Sequence, residues 1–314
     1  MPELAANAAA PQEMPANIMP TISWRRRVTD HVMTGAAVLT VVLVLAPLIA
    51  IFGYLVYKGV GSVNWAFLTQ IPKPEGEAGG GMANGIVGSM IILGVASVIG
   101  IPLGIGAGIY LAEFGRGRLG DAIRFTADVL NGVPSIVIGV VAWAILVRGH
   151  GFSALAGGVA LSIMMVPTIC RTTEEMLLLV PQALREAAYG LGIPRWRTTL
   201  SITLRTATSG VITGVMLAFA RIAGETAPLL FTALGNEYWS GRLPFDSHWH
   251  RQSWTLGLDQ PTAALPLQIY KYATSPYDDL HRQAWAGALV LIILIVTAVA
   301  AVRLAVRRSS FGAA

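Results

Sequence analysis

The sequence has little charge and almost no cysteine. Only 12% of its 314 residues are charged, about half the proportion that is usual in soluble domains. Its single cysteine, Cys170, cannot form an intrachain disulfide or supply a multi-cysteine metal site. With a mean hydropathy of +0.62, these shortages exclude a disordered chain, a disulfide scaffold and an ordinary cytosolic enzyme. They indicate an all-α, polytopic membrane protein.

Six apolar stretches are long enough to cross the bilayer, which needs about 20 apolar residues for its hydrocarbon core. We predict spans at about 33–57, 84–111, 123–147, 152–169, 207–234 and 284–304. With both termini in the cytoplasm, about two-thirds of the 22 Lys and Arg residues fall on inner segments, as the positive-inside rule requires. The distribution of the basic residues therefore predicts the orientation in the cytoplasmic membrane, and the net charge of +5 does not indicate nucleic acid as a partner, because the chain is expected to lie in lipid.

This reading divides the chain into four segments. They are a disordered cytoplasmic tail at 1–24, a first transmembrane helix with its outer loop at 25–83, a membrane core at 84–306 and a cytoplasmic tail at 307–314. The core contains a charged inner loop at about 171–205 and an aromatic outer loop at about 235–283. The first tail is predicted to be disordered because it is rich in Ala, Pro and Asn.

Two features of the core predict how its helices pack. Gly100, Gly104 and Gly108 form overlapping G-x-x-x-G steps, a pattern typical of closely packed membrane helices. Asp128, Glu174 and Glu175 lie near the inner ends of the third and fourth spans, close in sequence to arginines. We expect ion pairs at that interface.

The inner loop contains the segment Glu186-Ala-Ala-Tyr-Gly-Leu-Gly192. After nine intervening residues it continues with Ile202-Thr-Leu204. The small residues Ala187, Ala188 and Gly192 allow close packing against a partner. Glu186 is expected in the first turn of a helix, where a carboxylate is favourable. Composition alone fits an ordinary amphipathic helix at the membrane surface equally well.

The fifth span contains two charged residues, Arg221 and Glu225. A central arginine costs about 2.5–3.5 kcal/mol to insert, so its presence needs a reason. At helical spacing, Gly214, Ala218, Arg221, Glu225 and Pro228 would share one face. This stripe predicts a water-accessible path in which the guanidinium binds an anion. The alternative is a structural Arg–Glu pair that joins two helices.

The spacing in the inner loop resembles the EAA motif of ABC-importer permeases, although Arg205 stands where that motif ends in proline. Four other segments resemble the phosphate-specific ABC permeases of the PstA type. They are Ile109–Glu113, Asn131–Gly139, Arg171–Met176 with the following Val180-Pro181, and Gly224–Thr232. The resemblance covers about residues 84–235 in detail and the rest in layout.

The resemblance implies a six-span permease of type I ABC-importer architecture that takes up inorganic phosphate by alternating access and is not itself an enzyme. It implies that Arg221 and Glu225 line the substrate path and that Glu186, Ala187, Ala188 and Gly192 couple the chain to an ATPase. The implied partners are a second homologous permease chain, two ATPase subunits and an extracytoplasmic phosphate-binding protein. The sequence has no G-x-x-x-x-G-K-[ST] loop, which fits the implication that ATP and Mg²⁺ bind the ATPase partner. No cofactor, metal site or catalytic residue is expected in this chain.

Other functions remain open from the residues alone. An ABC permease for phosphonate, sulfate or molybdate would share the inner loop and the cation, and it is disfavoured mainly by the match at Gly224–Thr232. A secondary anion transporter or channel would also explain Arg221, but should show inverted repeats, and no convincing repeat is present. It would leave the Glu186–Gly192 spacing unexplained. A purely structural subunit would not explain an intramembrane cation.

Overall fold

The computed structural model describes residues 23–74, 76–77, 79–237 and 258–311. These residues form helices, in agreement with the predicted all-α class. In chain order the helices are α1 (Trp24–Gly59), α2 (Trp65–Thr69), α3 (Ala83–Phe114), α4 (Arg118–Gly132), α5 (Ser135–Ala142), α6 (Ala154–Leu178), α7 (Gln182–Gly190), α8 (Arg195–Thr198), α9 (Leu204–Ala223), α10 (Ala227–Thr232), α11 (Leu265–Ala273) and α12 (Asp278–Phe311). A 3₁₀ turn follows α1 at Val60–Ser62, and π-helical turns follow α5 and α8 at Trp143–Val147 and Thr199–Thr203.

The chain forms two units, Met1–Tyr54 and Leu55–Ala314. In the first unit, the described residues form most of α1, and all of them are exposed. An apolar helix with no buried side chain needs lipid or another chain around it. The second unit holds the remaining helices. Most of the predicted N-terminal tail, much of the outer loop (238–257) and the end of the C-terminal tail lie outside the described residues.

Within the described parts of the chain, five helices are long and apolar enough to cross a membrane, and a sixth crossing results if the bent pair α4–α5 is counted as one span. The third predicted span is therefore broken, because α4 and α5 meet at 105°. Pro134 causes the break: proline has no N–H to donate and disfavours helical conformation in the residue before it. Val133 accordingly has extended backbone, with φ −69° and ψ 130°.

Helix α6 is the centre of the second unit. In its most apolar 18-residue window, 67% of the residues are buried. The predicted glycine packing is confirmed against this helix. A Cβ on Gly104 would lie 2.7 Å from Ile169 Cβ, and one on Gly108 would lie 2.6 Å from Thr173 Cβ. The glycines thus let α3 approach α6 more closely than any side chain would permit.

Several helix boundaries differ from the predicted spans, and the fifth predicted span is interrupted after Ala223. Helix α6 continues to Leu178, so the first part of the predicted inner loop belongs to its last two turns. The fifth span begins earlier, because Arg195–Ala223 is a continuous helical segment. The described ends of the outer loop contain α11 and the first turn of α12. These extensions leave α7 and the turns beside it as the non-spanning part of the inner loop.

Candidate functional site

The segment that resembles the EAA motif forms α7 and the turn after it. The prediction that Glu186 lies in the first turn is wrong, because α7 begins at Gln182, directly after Pro181. Glu186, Ala187 and Gly192 are exposed, whereas Ala188 is buried. The four residues are therefore brought together on one short element, three of them accessible to a partner.

The turn after α7 depends on a glycine. Gly192 has φ +76°, a left-handed conformation that side chains with a Cβ disfavour by roughly 1–2 kcal/mol. The N–H of Gly192 donates to Tyr189 O at 2.9 Å, and the N–H of Ile193 donates to Ala188 O at 3.1 Å. This is the Schellman arrangement that ends helices. It directs the chain into α8 and leaves Leu191, 81% exposed, at the tip of the turn.

Arg185 anchors α7 to α3 and α6. Its Nη1 forms an ion pair with Glu113 at the end of α3, and both side chains are about nine-tenths buried. Its Nη2 donates to Leu177 O in α6 at 2.8 Å. A displacement of α7 must therefore move α3 and α6 or break a buried pair. This pair was not predicted from the sequence, although Arg185 shares a helical face with Ala188 and Glu113 ends the motif Ile109–Glu113.

A buried carboxylate at the same end of the unit ties α4 to α6. Glu174 Oε1 accepts from Arg124 Nε at 2.7 Å, and Glu174 Oε2 accepts from Arg171 Nη1 at 2.8 Å. Arg171 also pairs with Asp128 at 2.9 Å. Arg124 donates further to Gly115 O at 2.9 Å, at the end of α3. The predicted interfacial ion pairs of Asp128 and Glu174 are confirmed, whereas Glu175 is exposed and has no ion-pair partner among the described residues.

Arg221 and Glu225 do not share a helical face. Arg221 lies in the last turn of α9, which ends at Ala223, whereas Glu225 lies in the break before α10. Gly224 and the proline near the start of α10 explain the break, since Pro228 cannot donate an N–H to the preceding turn. Arg221 is exposed and Glu225 is partly buried, and neither has an ion-pair partner within the part of the chain that the structure describes.

The two interrupted helices pack against each other. A Cβ on Gly139 in α5 would lie 2.9 Å from Pro228 Cα and 3.3 Å from Ala227 O in α10. Near the other break, Thr168 Oγ1 of α6 hydrogen-bonds Asn131 Oδ1 of α4 at 3.0 Å. Membrane transporters commonly bind solutes where helices are discontinuous, because irregular backbone is tolerated where it lines a cavity. Arg221 stands at one such discontinuity.

The described residues contain no group of three or more His, Cys, Asp or Glu side chains that could hold a metal ion. Charge at the α7 end is instead dominated by arginine, and the buried carboxylates of Glu113 and Glu174 are already paired with arginines. The arrangement offers protein contacts and anion contacts, with no constellation for covalent chemistry.

Comparison with known proteins agrees with this geometry. Residues 100–310 match the family described as binding-protein-dependent transport system inner membrane component. The phosphate transport system permease protein PstA of Yersinia pestis is 44% identical over 276 residues, which are 87% of this chain and 88% of that protein. The PstA of Haemophilus influenzae is 40% identical over 275 residues, covering 87% and 92% of the two chains.

A solved structure supports the fold. A chain of the MetNI methionine ABC transporter, in an inward-facing conformation, superposes with a TM-score of 0.52 over 72% of this chain and 97% of that chain, at 18% identity. The fold is thus that of an ABC-importer permease, and the chain is a multi-pass inner-membrane component of a transport system with partner subunits. The chain belongs to the family of binding-protein-dependent transport system inner membrane components, among its PstA-type permeases.

Proposed function

We propose that this chain is the membrane-spanning subunit that moves inorganic phosphate across the cytoplasmic membrane in an ATP-driven importer. The observation that carries the proposal is the identity of 44% over 87% of the chain with a protein named for phosphate transport. The position of Arg221 supports it. A guanidinium with no ion-pair partner among the described residues, next to a helix break, suits a tetrahedral oxyanion that it can bind through two N–H groups.

Phosphate import needs an energy source. Phosphate carries about −1.5 to −2 charges near neutral pH, so uncompensated entry into a negative interior costs roughly 3–5 kcal/mol per 100 mV. This chain carries no phosphate-binding loop for ATP. We assign ATP and Mg²⁺ to two ATPase subunits, with a second homologous permease chain and an extracytoplasmic phosphate-binding protein completing the complex. Both termini lie in the cytoplasm, which places α7 on the ATPase side.

Coupling runs through α7. Its exposed face, with Glu186 and Ala187, and the turn at Gly192 contact the ATPase. ATP binding and hydrolysis there displace α7, and the anchor from Arg185 passes that displacement to α3 and α6. The substrate path at Arg221 and Glu225 then opens first to the outside and afterwards to the inside.

The test is uptake of radiolabelled phosphate into vesicles that contain the reconstituted complex. Saturable uptake that requires ATP and persists with excess sulfate or molybdate is the expected result. Uptake without ATP would favour a secondary carrier and refute the proposal. ATP-driven uptake of another oxyanion would retain the permease and replace the substrate.

A substitution tests the path. Arg221→Gln should assemble with its partners and yet lose phosphate uptake. Arg148→Gln is the matched control, because Arg148 is also exposed but follows the π turn Trp143–Val147 and is not part of the break between α9 and α10. If Arg221→Gln prevents assembly, the residue joins helices and does not serve the path.

A further inference from the structure

Beside α7 lies a cavity of about 440 Å³ whose lining extends beyond the Arg185–Glu113 pair. It is enclosed by the end of α3, the end of α6, one side of α7 and the start of α8. Its volume is within the range of small-ligand sites, about 300–1,000 Å³. The cavity is large enough for a phosphate headgroup.

The cavity has an excess of positive charge. Three arginines line it, Arg116, Arg185 and Arg195, together with the carboxylate of Glu113. Glu113 and Arg185 form the buried pair described above, so their charges cancel. The guanidinium groups of Arg116 and Arg195 have no ion-pair partner within residues 23–74, 76–77, 79–237 and 258–311. Two uncommitted guanidiniums in one cavity suit an anion with several oxygens, above all a phosphate group.

Neutral donors complete the polar lining. Gln182 and Tyr189 face the cavity from α7, in line with Arg185 at spacings of three and four residues, which puts all three on one side of the helix. Glu186, four residues after Gln182, is exposed beside these residues on the helix, whereas Ala187 is exposed on a different side. None of the four residues assigned to the ATPase contact lines the cavity.

The rim of the cavity is apolar and belongs to membrane helices. Phe114, at the end of α3, is 53% exposed, and Leu178, at the end of α6, is 61% exposed, with Leu179 beside it at 73%. Exposed apolar side chains at the ends of spanning helices lie where acyl chains meet the headgroup region. A free anion would gain nothing from this rim, whereas a phospholipid places its phosphate in the cavity and its chains along the rim. Basic pockets between membrane helices hold acidic headgroups in this way.

We propose that this cavity binds the phosphate group of an anionic phospholipid, with Arg116 and Arg195 as its ligands. The bound lipid bridges the end of α3 and the start of α8, and so holds α7 in place from the membrane side. The site is separate from the path at Arg221. Its test needs no transport measurement, so it can fail independently of the proposed function.

The experiment counts lipid bound to the purified full-length chain by native mass spectrometry, titrated with phosphatidylglycerol or phosphatidylcholine. We expect saturable binding of phosphatidylglycerol, and a decrease of at least about tenfold in apparent affinity in the double variant Arg116→Gln/Arg195→Gln. The matched control is Arg118→Gln/Arg197→Gln. It removes the same charge from neighbouring exposed positions that do not line the cavity, and should bind as the unsubstituted chain does.

Three results would overturn the proposal. Equal losses in both double variants would mean that the surface attracts anionic lipid without a site. Binding of inorganic phosphate with the same arginine dependence, while phosphatidylglycerol does not bind, would assign the cavity to the free anion. Release of phosphatidylglycerol when the ATPase subunits assemble would assign the two arginines to a protein contact.

Discussion

The close approach of α3 and α6 predicts a strong position dependence for glycine substitutions in α3. Gly104→Ala would place a Cβ 2.7 Å from Ile169 Cβ and 3.2 Å from Val166 O. Ordinary contacts between such atoms begin near 3.4 Å, and neither the Cβ of a branched side chain nor a backbone oxygen is a flexible end that can move aside. The helices must therefore separate by several tenths of an ångström.

The expected cost follows from two opposing effects. Overpacking a close interface costs about 1–3 kcal/mol, whereas replacing Gly by Ala within a helix gains up to about 1 kcal/mol in propensity. Gly104→Ala should therefore destabilise the α3–α6 interface by about 1–2 kcal/mol. Gly106→Ala is the matched control, since nothing lies within 4 Å of its Cβ position. In Gly106→Ala, only the gain in helix propensity affects the stability.

Cys170 provides the assay. It is the single cysteine of the chain, is 2% exposed, and its carbonyl oxygen lies at the same interface, 2.7 Å from the Cβ position of Gly108. A maleimide reaches its thiol only when the interface opens, so the labelling rate reports the opening equilibrium. Gly104→Ala should raise that rate by about 5- to 30-fold, and Gly106→Ala should leave it unchanged or lower it. Equal rates in both variants would refute the argument from close packing.

Three further substitutions test the α7 end. Gly192→Ala should destabilise the turn by roughly 1–2 kcal/mol because of its φ of +76°, and limited proteolysis should show faster cleavage there than in the control Gly190→Ala, which meets nothing within 4 Å. Arg185→Ala leaves the buried carboxylate of Glu113 without its cation and should cost about 3–5 kcal/mol; unaltered melting and ATPase coupling in the reconstituted complex would contradict this. Glu174→Gln weakens two charge-assisted hydrogen bonds and should lower stability by about 1.5–3 kcal/mol, measured as a lower melting temperature, with no change as the contrary result.

The spacing of residues along the sequence was sufficient to predict some of these structural features and insufficient to predict others. The G-x-x-x-G steps of α3 predicted close packing because three glycines four residues apart must share a face on any continuous helix. The same reasoning failed for Arg221 and Glu225, since the helix does not continue between them. Gly224 and Pro228 are the sequence signal for that break. The prediction placed Pro228 at the end of the stripe, but a proline disrupts the helical turn that precedes it, which here contains Glu225.

Prolines show why sequence alone could not place the breaks. Pro102 and Pro167 lie inside continuous helices, α3 and α6, whereas Pro134 separates two helices at 105°. A proline removes one hydrogen bond in each case, and packing around it determines whether the helix continues. Likewise the pair of Arg185 and Glu113 joins residues 72 positions apart. No local pattern encodes such a contact, because it exists only once α7 folds back against α3.

Helix α6 gives the proposed motion of α7 a rigid route into the membrane. Its 25 residues span about 37 Å at 1.5 Å per residue, and its last turns receive the anchor of Arg185 at Leu177 O. Toward its middle, Thr168 bonds Asn131 beside the break between α4 and α5, and Thr172 fills the space left by Gly214 of α9. A single buried helix thus contacts α7 and both interrupted spans. Displacement at its end must shift the helices that flank the discontinuities, because close-packed interfaces do not absorb such changes by deforming gradually.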